Sequence, residues 1–337
     1  MKEALWWESL GDDKVKCVLC PNACVIVPGK PGVCKVRENR GGRLYSLNYG
    51  QVASICLDPI EKKPLFHFHP GALVLSVGTY GCSFQCAFCQ NWRISQVKPT
   101  CTELTPEQVI SICASQQRRY PSTIGMAYTY NEPTVWYEFV RECAELAGAE
   151  GFVNVLVTNG YIQPEPLDEL IPLIDAMNID AKAWDEGFYR RVIRGKADPV
   201  RRTVEQAADA GVWVEVAYLV IPGENDADEH IDSLATWLSR INPAIPLHLS
   251  RYFPAYKYDK PPTPIPTLER LRGIAGEKLH YVYIGNAWKK GYADTICPQC
   301  GTVLLERGAL ELERASLSQQ ACPGCLRPAD ITGKVWI

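Results

Sequence analysis

Residues 73–92 read LVLSVGTYGCSFQCAFCQNW, an apolar run that ends in glycine and is followed by three cysteines. The apolar part has the composition of a buried β-strand, and its terminal glycines mark the point where the chain turns. Cys82, Cys86 and Cys89 then follow with the spacing C-x3-C-x2-C. Thiolates are soft metal ligands, so cysteines this close together indicate a metal centre. We therefore predict a metal-binding loop at the end of a strand.

This strand is the first of a series in which strands and helices alternate. Six apolar runs with helical segments between them follow from residue 73, and LHYVYIGN (279–286) is one further candidate strand. Such alternation predicts a parallel sheet covered by helices, and continuous apolar runs fit strands buried on both faces. The pattern alone does not separate an open doubly wound sheet from a closed or partial barrel. In either case, functional side chains are expected at the carboxyl ends of the strands.

Polar residues follow several of the predicted strands. They are Asn131 and Glu132, Thr158 and Asn159, Asp180 and Lys182, Pro222, and Arg251. Three of these groups also have plain structural interpretations. Asp180 and Lys182 are two residues apart on a strand and could form an ion pair, while Asn131–Glu132 and Thr158–Asn159 could be turns that lead into helices.

Size and composition narrow the class of protein. The 337 residues are 47% hydrophobic and 22% charged, with a net charge of −3. These values are typical of a globular protein, and the balance of charge gives no reason to expect a nucleic-acid partner. The sequence contains no apolar run of membrane-spanning length and no signal-peptide core, so we expect a cytoplasmic protein without a membrane partner.

The fifteen cysteines fall mostly into three groups. The N-terminal group, Cys17, Cys20, Cys24 and Cys34, can close a four-thiolate site, and either zinc or a second iron–sulfur cluster suits it. The C-terminal group, Cys297, Cys300, Cys322 and Cys325, forms paired C-P-x-C knuckles that predict a zinc ribbon. We predict three units: a cysteine-rich β unit over 1–70 with a hairpin across residues 24–34, a core over 71–286, and a zinc-ribbon-like module over 287–337.

Three cysteines leave one iron of a cubane cluster without a protein ligand, and a zinc site completed by a remote histidine is an alternative. With Phe88 before the last cysteine, C-x3-C-x-(aromatic)-C resembles the motif of radical S-adenosylmethionine (SAM) enzymes. Together with DPIEKKPLFHFHPG (58–71), YTYNEPT (128–134), NIDAK (178–182) and IPG (221–223), the chain resembles the radical SAM component of the AmmeMemoRadiSam system. That group is related to pyruvate formate-lyase activating enzymes.

The resemblance implies an α/β fold, a partial (β/α)6 TIM-like barrel. It also implies a 4Fe–4S cluster that cleaves SAM to methionine and a 5′-deoxyadenosyl radical, which abstracts hydrogen from a substrate. Cys82, Cys86 and Cys89 match the cluster ligands of the family. The positions that match its SAM contacts are Phe88, Asn131, Glu132, Thr158, Asn159, Asp180, Lys182, Val220 and Pro222. Val157 replaces an acid that helps to hold a monovalent cation in activating enzymes, which puts such a cation in doubt.

His248 and Arg251, on the predicted sixth strand, are candidates for substrate contact, because activating enzymes meet their substrates at this edge. The resemblance implies an electron donor such as flavodoxin or ferredoxin. The substrate could be a glycyl residue of a partner protein or a small molecule. A non-catalytic iron–sulfur or zinc-ribbon protein is the rival interpretation, although an electron carrier has no need for the polar residues at the strand ends.

Overall fold

A computed structural model describes residues 1–308 and 310–337. The strands are β1 Lys2–Glu3, β2 Trp7–Gly11, β3 Lys14–Cys17, β4 Val25–Ile26, β5 Arg37–Arg40, β6 Arg43–Ser46, β7 Gln51–Val52, β8 Ser54–Pro59, β9 Leu73–Gly78, β10 Thr102–Glu103, β11 Thr123–Tyr128, β12 Val153–Thr158, β13 Ala176–Asp180, β14 Trp213–Val220, β15 Leu247–Arg251, β16 Val282–Gly285, β17 Thr295–Ile296, β18 Val303–Arg307 and β19 Leu312–Ala315. The helices are α1 Trp92–Ser95, α2 Pro106–Arg119, α3 Tyr137–Ala149, α4 Pro164–Leu170, α5 Glu186–Phe188, α6 Ala197–Asp209, α7 Asp228–Ile241 and α8 Ile265–Gly276. Within these described residues, no helix combines the length and the hydrophobicity needed to span a bilayer.

A single large sheet organises the chain, with eight strands in the order β16-β15-β14-β13-β12-β11-β9-β8. All neighbouring pairs are parallel except β8 with β9, which is antiparallel. The predicted α/β class with a parallel sheet is therefore confirmed, and 282–285 is indeed one more strand. In the described part of the chain the edge strands β8 and β16 do not pair with each other, so the sheet stays open, as in a partial barrel.

Helices cover one face of the sheet. Strand residues such as Leu75, Met126 and Leu156 belong to the same buried cluster as Val109 of α2 and Phe139 of α3. The predicted start of α2 is confirmed, because Thr105 and Gln108 exchange side-chain and backbone hydrogen bonds in a capping box. The strands therefore present their carboxyl ends at one edge, with the helices behind them.

The opposite face of the sheet is filled by the segment 60–72 and by the C-terminal module. Ile60, Leu65 and Phe68 pack with Val74 and Ala127 in a second apolar cluster. The C-terminal module then binds this segment through its backbone: Thr332 N donates to His67 O at 2.8 Å, His69 N to Thr332 O at 2.8 Å, and Trp336 N to Pro70 O at 2.8 Å. The module is thus part of the core packing rather than a separate appendage.

The N-terminal unit differs from its predicted form. The hairpin predicted across residues 24–34 is wrong, because Val25–Ile26 pairs upstream with Val15–Lys16 and leaves residues 27–36 mostly as turns. The predicted boundary at residue 70 separates β8 from β9, which are paired strands of the one large sheet. The small N-terminal sheets therefore continue directly into the core sheet.

A buried ion pair fastens the N-terminal unit to helix α3. Arg37 Nη2 lies 2.5 Å from Glu138 Oε1, and both side chains are only 1% exposed. The same carboxylate oxygen accepts from Leu5 N at 2.9 Å, and Arg37 Nη1 donates to Leu5 O at 2.9 Å. If one partner of such a pair is removed, an uncompensated charge remains in a site without water.

We predict that Glu138→Ala lowers the free energy of unfolding by about 3–5 kcal/mol, because Arg37 loses its counter-charge. Glu145→Ala on the same helix is the matched control: Glu145 is 45% exposed and pairs with Arg141, so its loss should cost no more than about 1 kcal/mol. Denaturant unfolding, followed by circular dichroism, measures both variants. Equal midpoints for the two variants would contradict the assignment.

Candidate active site and metal centres

The loop 82–89 follows β9 at the carboxyl edge of the sheet and is held by two other segments of the chain. Gln85 N donates to Ile193 O at 3.0 Å, Ala87 N donates to Val192 O at 3.3 Å, and Lys257 N donates to Ala87 O at 2.9 Å. Phe84 packs on Tyr161 with ring centroids 4.6 Å apart. The backbone that carries the three thiols is therefore fixed before any ligand binds.

Cys82 lies against the end of β12. Asn159 Nδ2 is 3.6 Å from Cys82 Sγ and 3.1 Å from Ser83 Oγ. Burial is the main reason why the pKa of the Cys82 thiol is raised well above its ordinary value, and the nearby Glu132 adds to this effect. A raised pKa favours the protonated thiol. A bound cation or cluster would instead favour the thiolate, since coordination deprotonates a thiol.

Glu132, at the end of β11, is 1% exposed and accepts three hydrogen bonds. Its Oε1 accepts from Thr158 Oγ1 at 2.7 Å and Thr134 N at 3.0 Å, and its Oε2 accepts from Asn159 N at 2.8 Å. Burial raises the pKa of the carboxyl, against the effect of these donors. Each carboxylate oxygen has two lone pairs, so Oε2 keeps the capacity to accept from an ammonium group.

The side chain of Asn131 is held by the residues that follow β9, and the SAM contact expected at this position remains a prediction. Its Oδ1 accepts from Thr79 N at 3.1 Å and its Nδ2 donates to Gly81 O at 2.8 Å. Both side-chain groups are thus used to hold the start of the cysteine loop. We infer a positioning role for this side chain.

Asp180 and Lys182, after β13, form an ion pair with Nζ and Oδ2 2.5 Å apart. This is the structural interpretation considered for the pair, although the two side chains remain 37% and 18% exposed at the strand edge. Burial raises the pKa of the Cys86 thiol to about 12, and the nearby Lys182 ammonium acts in the opposite direction. Lys182 is therefore close enough to Cys86 to stabilise negative charge at that thiol.

The remaining predicted SAM contacts lie around β14 and the loop. Phe88 is 4% exposed and stacks on Phe188 with centroids 6.2 Å apart. Val220 O accepts from Thr263 Oγ1 at 2.6 Å, and Pro222 lies in the turn that follows. Asn225 fixes this turn, because its Oδ1 accepts from Ile221 N at 2.6 Å and its Nδ2 donates to Lys182 O at 2.9 Å. Sequence reasoning missed Asn225, whose partners lie on two different loops.

His248 is buried and lies against a carboxylate of the neighbouring strand. It is 3% exposed, and its Nε2 lies 2.7 Å from Oε2 of the fully buried Glu215. Glu215 also accepts from Phe66 N at 3.0 Å and His67 N at 2.8 Å, so the pair anchors the segment that fills the inner face of the sheet. The expectation of substrate contact for His248 remains a prediction. An acid within the apolar run WVEVAYLV (213–220) was the available signal for Glu215.

Arg251 ends β15 at the carboxyl edge. Its Nε donates to Thr263 O at 2.8 Å, and its guanidinium lies 4.9 Å from the centroid of Phe253. Val157, by contrast, packs in the apolar cluster of the inner face and supplies no oxygen ligand for a cation. The expectation for Arg251 remains a prediction.

The three cysteine groups differ in how closely their sulfur atoms approach. In the C-terminal group all four Sγ atoms lie within 4.8 Å of one another, with Cys297 and Cys325 3.6 Å apart and Cys300 and Cys322 3.5 Å apart. Zinc–sulfur bonds of ~2.3 Å in a tetrahedron require sulfurs ~3.8 Å apart, so this group fits one zinc ion. Among the described residues neither of the other groups has three sulfurs that close together. Cys82, Cys86 and Cys89 need no such closed arrangement to hold a cluster in which each thiolate binds its own iron.

We predict that Cys300→Ser removes about one zinc ion per chain, because a hydroxyl is a much poorer zinc ligand than a thiolate. Cys56→Ser is the matched control, since Cys56 is also exposed and lies outside the three groups. Elemental analysis of purified protein measures both. Unchanged zinc in the Cys300 variant would exclude this site.

Several known proteins are similar to this chain. The family model of the radical SAM superfamily matches residues 76–235. An uncharacterized protein of Methanocaldococcus jannaschii is 43% identical over 342 residues, which cover 98% of this chain and 99% of that protein. The pyruvate formate-lyase 1-activating enzyme of Escherichia coli is 25% identical over 222 residues, covering 60% of this chain and 88% of the enzyme.

A solved radical SAM methyltransferase from Sphaerobacter thermophilus covers 70% of this chain and 71% of its own, with 18% identity and a TM-score of 0.48. The matched family segment contains β11 to β14, the cysteine loop and each strand end described above up to Pro222. The near full-length relative extends the similarity to both cysteine-rich ends. Residues 76–235 of this chain are a domain of the radical SAM superfamily.

Proposed function

We propose that this protein is a radical SAM enzyme of the activating type, which takes a hydrogen atom from a glycyl residue of a partner protein. The observation that carries the chemistry is that the three thiols of the cysteine loop lie with Glu132 and Lys182 at one edge of the sheet. The similarity to the activating enzyme of Escherichia coli supports a protein substrate. The reductant would be a small donor such as flavodoxin or ferredoxin.

When bound at Cys82, Cys86 and Cys89, a 4Fe–4S cluster supplies the electron that breaks a carbon–sulfur bond of SAM. The chain's own residues hold the reactants. Glu132 would accept from the SAM ammonium and Lys182 would attract its carboxylate, while the backbone of residues 220–223 would contact the nucleoside. The negative Glu132 would thus meet the positive ammonium of SAM, and the positive Lys182 would meet its negative carboxylate. Asn131 and Asn225 hold the backbone near these two residues through hydrogen bonds to Gly81 O and Lys182 O.

The overall reaction balances with one electron. SAM and one electron from the external donor give methionine and a 5′-deoxyadenosyl radical. That radical then takes a hydrogen atom from the glycyl Cα, which leaves 5′-deoxyadenosine and a glycyl radical. The second step needs no further oxidant or proton donor.

We predict that Cys86→Ala abolishes formation of 5′-deoxyadenosine from SAM and dithionite, because one of the three iron ligands is lost. Cys113→Ala is the control, since Cys113 is buried in α2 outside the three groups. Anaerobic assays with product detection by chromatography measure both variants. If the wild-type protein carries a full cluster and forms no 5′-deoxyadenosine, it is a non-catalytic cluster protein.

A labelling experiment tests the nature of the substrate. We expect deuterium to enter 5′-deoxyadenosine when the enzyme is given the macromolecular fraction of an extract from host cells grown on Cα-deuterated glycine. The small-molecule fraction of the same extract should transfer none. Transfer from the small-molecule fraction alone would replace the partner protein with a metabolite as the substrate.

A further inference from the structure

The N-terminal cysteine group surrounds a pocket next to the candidate active site. Cys17, Cys20, Cys24, Cys34 and Arg37 line it together with Asn22 and apolar side chains. Val33 N lies 3.5 Å from Cys24 Sγ, in position to donate to that sulfur. The pocket therefore combines four thiols with an amide donor and a buried cation.

The spacing of these thiols is wrong for one zinc ion. Within the described chain, no three of the four sulfurs lie within 4.8 Å of one another, whereas a tetrahedral zinc site requires about 3.8 Å between all of them. The C-terminal group shows the closed arrangement in the same molecule, with sulfurs 3.5 and 3.6 Å apart. Neither the N-terminal group nor Cys82, Cys86 and Cys89 shows this closed arrangement among the described residues.

Arg37 supplies a second, independent observation. It is 1% exposed, and Nη1 and Nη2 are used by Leu5 and Glu138. Its Nε, in contrast, meets no acceptor among the described residues. Buried donors without an acceptor are rare in native proteins. A cluster in this pocket would provide sulfur acceptors and negative charge beside the guanidinium.

The N-terminal pocket also touches the cysteine loop of the active site. Asn22, two residues after Cys20, donates through Nδ2 to Ser83 O at 2.8 Å, and Ser83 adjoins Cys82. Gly81 lies so close to the N-terminal loop that a Cβ at this position would be 2.7 Å from Cys34 O. One hydrogen bond thus connects the short chain segments that carry ligands of the two centres.

We propose that Cys17, Cys20, Cys24 and Cys34 bind a second iron–sulfur cluster, of the 4Fe–4S type, which relays electrons to the Cys82–Cys86–Cys89 centre. Cluster binding rests on the pocket alone, and the relay rests on the proposed function. The second cluster would take one electron from reduced flavodoxin or ferredoxin and be reoxidised as it reduces the first centre. No proton or further reactant is required for this transfer.

The first test is the iron content of Cys82→Ala/Cys86→Ala/Cys89→Ala after anaerobic reconstitution with iron and sulfide. We expect about eight iron atoms per chain in the wild-type protein and about four, with equal sulfide, in the triple variant. The retained iron should give the electron paramagnetic resonance signal of a reduced 4Fe–4S cluster. A triple variant that contains zinc in place of this iron, or neither metal, would overturn the proposal.

The second test uses Cys20→Ala/Cys24→Ala, with Cys113→Ala as the matched control. We expect the double variant to lose about half of its iron, while the control keeps about eight atoms. In the reduced wild-type protein, magnetic interaction between neighbouring clusters should make the resonance spectrum differ from the sum of the spectra of the triple and double variants. A spectrum equal to that sum would overturn the relay.

The two proposals can fail separately. Iron content and resonance spectra report the second cluster whether or not SAM is cleaved. Formation of 5′-deoxyadenosine reports the first centre. If the double variant does not fold, the iron content of the triple variant still decides whether the N-terminal cysteines hold a cluster.

Discussion

The carboxylate of Glu132 connects the ends of two neighbouring strands, and the geometry of the site depends on it. One oxygen accepts from Thr158 and Thr134, and the other accepts from the backbone of Asn159. Asn159 then reaches Cys82 and Ser83 with its side chain. A buried carboxylate needs such partners, because desolvation of an unpaired charge is costly. The hydrogen bonds that satisfy the Glu132 carboxylate therefore also hold the end of β12 against the cysteine loop.

Much of this arrangement could be predicted from local patterns. Parallel strands place their carboxyl ends at one edge, so residues that follow successive apolar runs meet even when they are far apart in sequence. The capping box at Thr105 was predictable because all of its partners lie within one turn of helix. This shared edge of the parallel sheet explains why six residues that are distant in sequence lie close together: Cys82, Cys86, Cys89, Glu132, Asn159 and Asp180.

The errors have equally specific causes. The predicted hairpin across residues 24–34 was wrong because Val25–Ile26 pairs with Val15–Lys16 instead. A turn signal in the sequence indicates where the chain reverses but does not identify the strand with which a segment pairs. The contact between His248 and Glu215 on the neighbouring strand could not be read from the sequence, because the two residues are 33 positions apart. Arg37 and Asn225 were missed because their partners, Glu138 and Lys182, are distant in sequence.

The C-terminal module completes the inner face of a sheet whose strands are made much earlier. His67 Nδ1 contacts Asp330 O, and Trp336 packs in the cluster that contains Val74 and Ala127. During synthesis on the ribosome, the inner face of the sheet and residues 60–72 are made before residues 287–337, which complete the covering of this face. Contacts of such long sequence separation form late. We therefore expect the apolar inner face to stay exposed in the nascent chain until the C-terminal module docks on it.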